Sequence, residues 1–150
     1  MEFRSSDEVL DFAMGQERRA ADFYGFMAEK TSDVVARKFF REMVEEELEH
    51  EARLKAVKAG KSAGLGLKKS SQMNLTEILN DAVFKEDITL QEGLVVSMRA
   101  EKAAYEMYRD LARAAGDDEL KALMESLAAE ELEHKARMEG IYDQVVQREN

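Results

Sequence analysis

The chain has 150 residues, 45% of them hydrophobic and 36% charged, which suits one all-α domain over 1–150 built from long helices. Its formal charge of −10 argues against nucleic acid and anionic membrane surfaces as partners, because both recruit basic patches. With no cysteine, the sequence holds no disulfide, no thiolate metal site and no thiol nucleophile.

A first helix is predicted over 6–30, opening at Ser5, Ser6 or Asp7, whose side chains can accept from the unpaired first-turn amides. Its inward stripe is Leu10, Met14, Glu17, Ala21, Tyr24 and Ala28, so a carboxylate falls among apolar residues. Thr31, Ser32 and Asp33 break the pattern, and a second helix is predicted over 33–59, with Gly60 as a left-handed stop. Its stripe runs through Phe40, Met43, Glu47, His50 and Leu54 to Val57.

A crossover over 60–88, glycine-rich at its start, carries a short predicted helix at 75–84. The third long helix is predicted over 89–115, with Leu94, Met98, Glu101, Tyr105, Tyr108 and Ala112 on one face. The fourth is predicted over 117–147, and Met124, Leu127, Glu131, His134, Met138 and Ile141 lie along its stripe. Two short connections and one long one imply two antiparallel hairpins and a four-helix bundle with a single crossover between helices two and three.

The polar residues inside these stripes form a repeat. Glu46-Glu47-Leu48-Glu49-His50 returns as Glu130-Glu131-Leu132-Glu133-His134, an offset of 84 residues that also relates Glu17 to Glu101 and Tyr24 to Tyr108. A lone Glu-x-x-His is common on solvated helix faces. Two copies in register, each with a glutamate 30 residues upstream and all on core-facing stripes, point instead to a pair of metal ions. Residues three apart share a helix face, so Glu47 with His50, and Glu131 with His134, can each reach one ion. Glu17 and Glu101 arrive from neighbouring helices.

Four carboxylates balance two divalent cations, and neutral imidazoles complete a donor set suited to iron or manganese, with zinc also accommodated. Glu46 and Glu130 are alternatives to Glu47 and Glu131. Glu49 and Glu133 are expected in solvent, and Arg53 and Arg137 in surface ion pairs. Tyr24 and Tyr108 are placed to hydrogen-bond metal-bound carboxylates. No histidine is left over to activate a serine, so a hydrolase triad is not expected.

This constellation resembles the ferritin-like di-iron carboxylate family, whose bundle pattern is a glutamate, then Glu-x-x-His, then both again. The Glu-x6-Tyr spacing of Glu17–Tyr24 and Glu101–Tyr108 is similar as well, and the likeness covers about residues 6–147. Within that family the chain looks most like the rubrerythrin group. The resemblance implies a non-haem site of two iron ions that reduces hydrogen peroxide or dioxygen, or else a ferroxidase that handles iron for storage. It also implies a homodimer.

Rubrerythrins carry a four-cysteine rubredoxin domain that this sequence lacks, so the electrons are expected from a separate donor such as a rubredoxin. Their third helix also has an extra ligand glutamate where this chain has Ala104, which leaves a symmetrical set closer to bacterioferritin. A storage shell is not expected, since little sequence follows the fourth helix. No apolar run approaches the ~18 residues of a membrane span. The start lacks a basic-then-apolar export signal, so a cytoplasmic location is expected.

Overall fold

The computed structural model describes residues 5–60, 79 and 84–149. Four helices account for most of them: α1 (Ser6–Lys30), α2 (Val34–Ala59), α3 (Leu90–Ala114) and α4 (Asp118–Glu149). No strand occurs among the described residues. The short helix predicted at 75–84 lies outside the described residues except at its Leu79 and Phe84 positions. Leu79 is buried, and the Phe84 ring packs edge-on against Phe23 at 5.5 Å.

Local chemistry sets the helix starts. The Ser5 hydroxyl accepts from the Glu8 amide at 3.2 Å, and Asp33 Oδ1 accepts from the Ala36 amide at 2.9 Å. Thr89 and Glu92 form a reciprocal capping box, and Asp117 Oδ1 accepts from the Leu120 amide at 2.7 Å. Each contact satisfies one of the amides left unpaired in a first helical turn.

The ends differ in two places from the sequence expectation. Gly60 is not left-handed: at φ −74°, ψ 6° it continues the right-handed turn, its amide donating to the Ala56 carbonyl at 2.8 Å. That bond closes the last turn without a positive φ. α4 continues to Glu149, two residues past the predicted end, and Val145 in its last turns is buried.

α1 lies along α2 and α3 along α4, whereas α1 meets α3, and α2 meets α4, over smaller areas. α1 and α3 run antiparallel: Met27, near the end of α1, packs against Gly93 at the start of α3, and Val9 shares a cluster with Leu111. The core is split in two. One cluster gathers Leu10, Leu54, Tyr108, Leu111, Met124 and Leu127; the other gathers Phe23, Tyr24, Phe40, Met43, Leu94 and Met138. Burying each large apolar side chain contributes on the order of 1.5–3 kcal/mol. Met14, Val57, Met98, Tyr105 and Ile141, read from sequence as inward, are only partly buried because they fall at the edges of their stripes.

Candidate metal centre

Between the two apolar clusters lies a layer of ionisable side chains. Glu17, Glu47, His50, Glu101, Glu131 and His134 are all buried, none more than 3% exposed. The structure therefore brings together all six residues singled out by the repeat. They fall into two overlapping groups whose donor atoms lie within 4.8 Å of one another: Glu17, Glu47, His50 and Glu131, and then Glu47, Glu101, Glu131 and His134. Glu47 and Glu131 belong to both. One glutamate and one histidine complete each group, as the pseudo-twofold relation between the hairpins requires.

The imidazoles lie nearly parallel, with ring centroids 5.7 Å apart. Each points Nδ1 inward: His50 Nδ1 is 2.6 Å from Glu131 Oε1 and 3.5 Å from Glu17 Oε2. His134 Nδ1 is 3.0 Å from Glu47 Oε1 and 3.6 Å from Glu101 Oε2. These approaches lack hydrogen-bond geometry. Seven inward atoms have no hydrogen-bond partner: Glu17 Oε2, Glu47 Oε1, Glu101 Oε2, both Glu131 oxygens and both Nδ1 atoms. A buried polar atom without a partner costs about 1–3 kcal/mol, and more where the group is charged. Seven converging on one spot fit cations: the oxygens and ring nitrogens offer lone pairs, and no donor competes for them.

The surroundings fix these side chains in place. The Tyr24 hydroxyl donates to Glu101 Oε1 at 2.6 Å, and the Tyr108 hydroxyl donates to Glu17 Oε1. Each tyrosine thus crosses from one hairpin to the other and holds the outer oxygen of a carboxylate. Burial, then the charge of nearby carboxylates, pushes both phenols well above their ordinary range, so they remain donors. On the outer edge, His50 Nε2 faces Glu130 at 3.7 Å and His134 Nε2 faces Glu46 at 3.5 Å.

Glu46 and Glu130 are therefore not in the inner cluster. One residue of helix rotates them about 100° from Glu47 and Glu131, and they are 41% and 38% exposed. Glu130 accepts from Arg53 at 2.8 Å, and Arg137 donates to Glu46 at 3.3 Å and to Glu42 at 2.9 Å. Arg53 and Arg137 make these ion pairs across the bundle and are only partly exposed. Glu49 and Glu133 face solvent.

The electrostatics divide the four inner glutamates. Burial, then the charges of Glu101 and its neighbours, raises Glu47 and Glu131 well above the usual carboxylate range. Burial also acts to raise Glu17, but interaction with Glu47 and His50 and the Tyr108 hydroxyl outweighs it, and Glu17 ends below its ordinary value. Burial lowers His50, and the Glu17 carboxylate more than reverses this, so His50 is raised.

Two buried polar residues were not singled out from the sequence: Ser97, whose hydroxyl donates to the Gly93 carbonyl at 2.7 Å, and Gln16. Gln16, next to Glu17, is 4% exposed and its Oε1 has no hydrogen-bond partner. Its only sequence signal is its place on a second α1 stripe with Val9, Ala13, Ala20 and Phe23, all buried.

Helix order and packing define a ferritin-like four-helix bundle. A Thermotoga maritima protein described as ferritin-like and diiron-carboxylate is similar over 97% of this chain and 99% of its own, with TM-score 0.82 at 15% identity. A hypothetical protein of Pyrococcus furiosus is similar over 95% of this chain and 91% of its own, with TM-score 0.73 at 26% identity. No curated protein matches. The family model described as Rubrerythrin matches residues 8–142, and the chain belongs to that family. Among the described residues, no helix is long and apolar enough to cross a membrane.

Proposed function

We propose that the protein is a di-iron oxidoreductase that reduces hydrogen peroxide, with electrons supplied by a separate donor protein such as a rubredoxin. The observation that carries this reading is the pair of four-residue donor groups sharing Glu47 and Glu131. A carboxylate common to two groups can bridge two cations, and four carboxylates with two neutral imidazoles suit iron or manganese better than a thiolate-loving metal. Membership of the Rubrerythrin family and the description of the Thermotoga maritima neighbour support iron. Two bound ferrous ions would supply two electrons, which with two protons convert one peroxide molecule to two waters.

The chain's own residues do the rest. Glu17 and His50 would hold one ion, Glu101 and His134 the other, and Glu47 and Glu131 are common to both groups. Tyr24 and Tyr108 keep Glu101 and Glu17 in orientation, so their free oxygens stay aimed inward. Glu130 and Glu46 face the imidazole Nε2 atoms and favour the tautomer that leaves Nδ1 as an acceptor. The apolar clusters above and below exclude bulk water, which strengthens every charge interaction in the layer.

Anaerobic rapid mixing tests the reaction. The diferrous protein is expected to oxidise faster with hydrogen peroxide than with dioxygen at equal concentration. Equal rates, or faster oxidation by dioxygen, would assign the chain to ferroxidase chemistry instead.

A further inference from the structure

We propose that Gln16 is the residue that positions hydrogen peroxide beside the carboxylate layer and selects it over dioxygen. This inference rests on the two-metal peroxidase reading above and adds to it a residue outside the repeated motif.

The antiparallel register of α1 and α3 locates the side chain. Ala13 and Met107 belong to one apolar cluster, and Ala20 and Ala100 to the other. Between those two levels the same register sets Gln16 against Ala104. Both are buried, and Ala104 belongs to neither cluster although it is apolar. Met27 packs on Gly93 in that same register, so Gln16 and Ala104 fall on the α1/α3 seam at about the level of Glu17 and Glu101. On the α2/α4 side, by contrast, the paired imidazoles and the Arg53–Glu130 and Arg137–Glu46 ion pairs close the layer off.

Gln16 also breaks the symmetry of the layer. Glutamates, histidines, tyrosines and arginines all occur in pairs 84 residues apart, but the partner position of Gln16 is Ala100. An amide on one side only has no use in holding a symmetrical metal pair. Its Oε1 is unpartnered and buried, which is unfavourable unless a ligand supplies a donor.

The chemistry of the missing partner separates the two oxidants. Oε1 needs an O–H group. Hydrogen peroxide carries two, and its second oxygen can accept from the amide NH2 of the same side chain. Dioxygen has no hydrogen to donate and leaves the carbonyl unsatisfied. A site built to hydrogen-bond one small molecule discriminates against the analogue that lacks the group.

Gln16→Leu keeps the bulk and removes the amide; Gln16→Met does the same with a longer, more adaptable chain should the first variant fold poorly. Both are expected to retain the wild-type metal content. In the diferrous protein, the ratio of the oxidation rate with peroxide to that with dioxygen should fall about tenfold. A second readout needs no turnover. In zinc-loaded wild-type protein, the Gln16 side-chain amide resonances, identified by their loss in Gln16→Leu, should shift on titration with hydrogen peroxide and stay put under dioxygen. An unchanged ratio or unmoved resonances would overturn the proposal and leave Gln16 as a holder of structural water. A wild-type chain that binds no metal pair would overturn the parent reading as well, a result that elemental analysis distinguishes from the first.

Discussion

Glu131→Ala is expected to lower the metal content from two ions per chain to at most one. Glu131 belongs to both donor groups, and both of its oxygens point inward without a partner. Removing it leaves each prospective ion with one carboxylate fewer and the cluster with one negative charge fewer. Glu17→Ala should be milder: Glu17 serves only the group with His50, so the position at Glu101 and His134 should keep its ion. Glu133→Ala, on the exposed face one residue before His134, should leave both in place. At a thousandfold excess over Kd a bound ion stabilises the native state by about 4 kcal/mol, so the alanine series should order melting temperatures in the same way. Elemental analysis after gel filtration reads the first effect, and a thermal melt in the presence of metal reads the second.

The second large effect is the response of the metal-free protein to pH. Glu47 and Glu131 keep their protons in the native state above the ordinary carboxylate value of 4.5, while in the unfolded chain they lose them there. The native state then binds more protons, so stability falls as pH rises toward their native values. His50 acts in the same direction: its stabilising contribution is present below its ordinary value of 6.5 and is lost as pH passes its raised native value. Glu17 works oppositely, with its contribution in place above 4.5 and lost only in acid.

Above 4.5, therefore, Glu47 and Glu131 weaken the native state as pH rises toward their native values, and His50 joins them above 6.5, whereas Glu17 works oppositely only in acid. The melting temperature of chelator-treated protein should decline across this range. Added metal should abolish the decline, because it occupies the layer in place of the protons and drives them off. A metal-free melting temperature that rises through the same interval would contradict the assignment of protons to Glu47 and Glu131.

The repeat made the ionisable layer legible in the sequence, because two similar hairpins facing each other bring matching residues to one level and the chain writes that relation as an 84-residue offset. Helix periodicity then put the six residues on inward stripes. What periodicity could not decide was fixed by rotation and long side chains. Glu46 and Glu47 differ by one residue, and only the packing shows Glu47 inside and Glu46 at the rim on Arg137.

Reading a single stripe on α1 also hid a second buried one. A helix in a four-helix bundle touches two neighbours, so α1 buries Val9, Ala13, Gln16, Ala20 and Phe23 beside the stripe that carries Glu17. Gln16 was missed for that reason. Gly60 misled in a different way: glycine after a helix commonly takes the left-handed cap, but here a right-handed closing turn already supplies the hydrogen bond.

The proposal turns on whether this layer would hold two metal ions, with Glu47 and Glu131 common to both donor groups. Anaerobic titration of the chelator-treated protein with ferrous iron, followed by gel filtration and elemental analysis, tests it most directly. The predicted result is saturation at two ions per chain, falling to at most one in Glu131→Ala. Saturation below two in the wild-type chain, or the same content in both proteins, would contradict it.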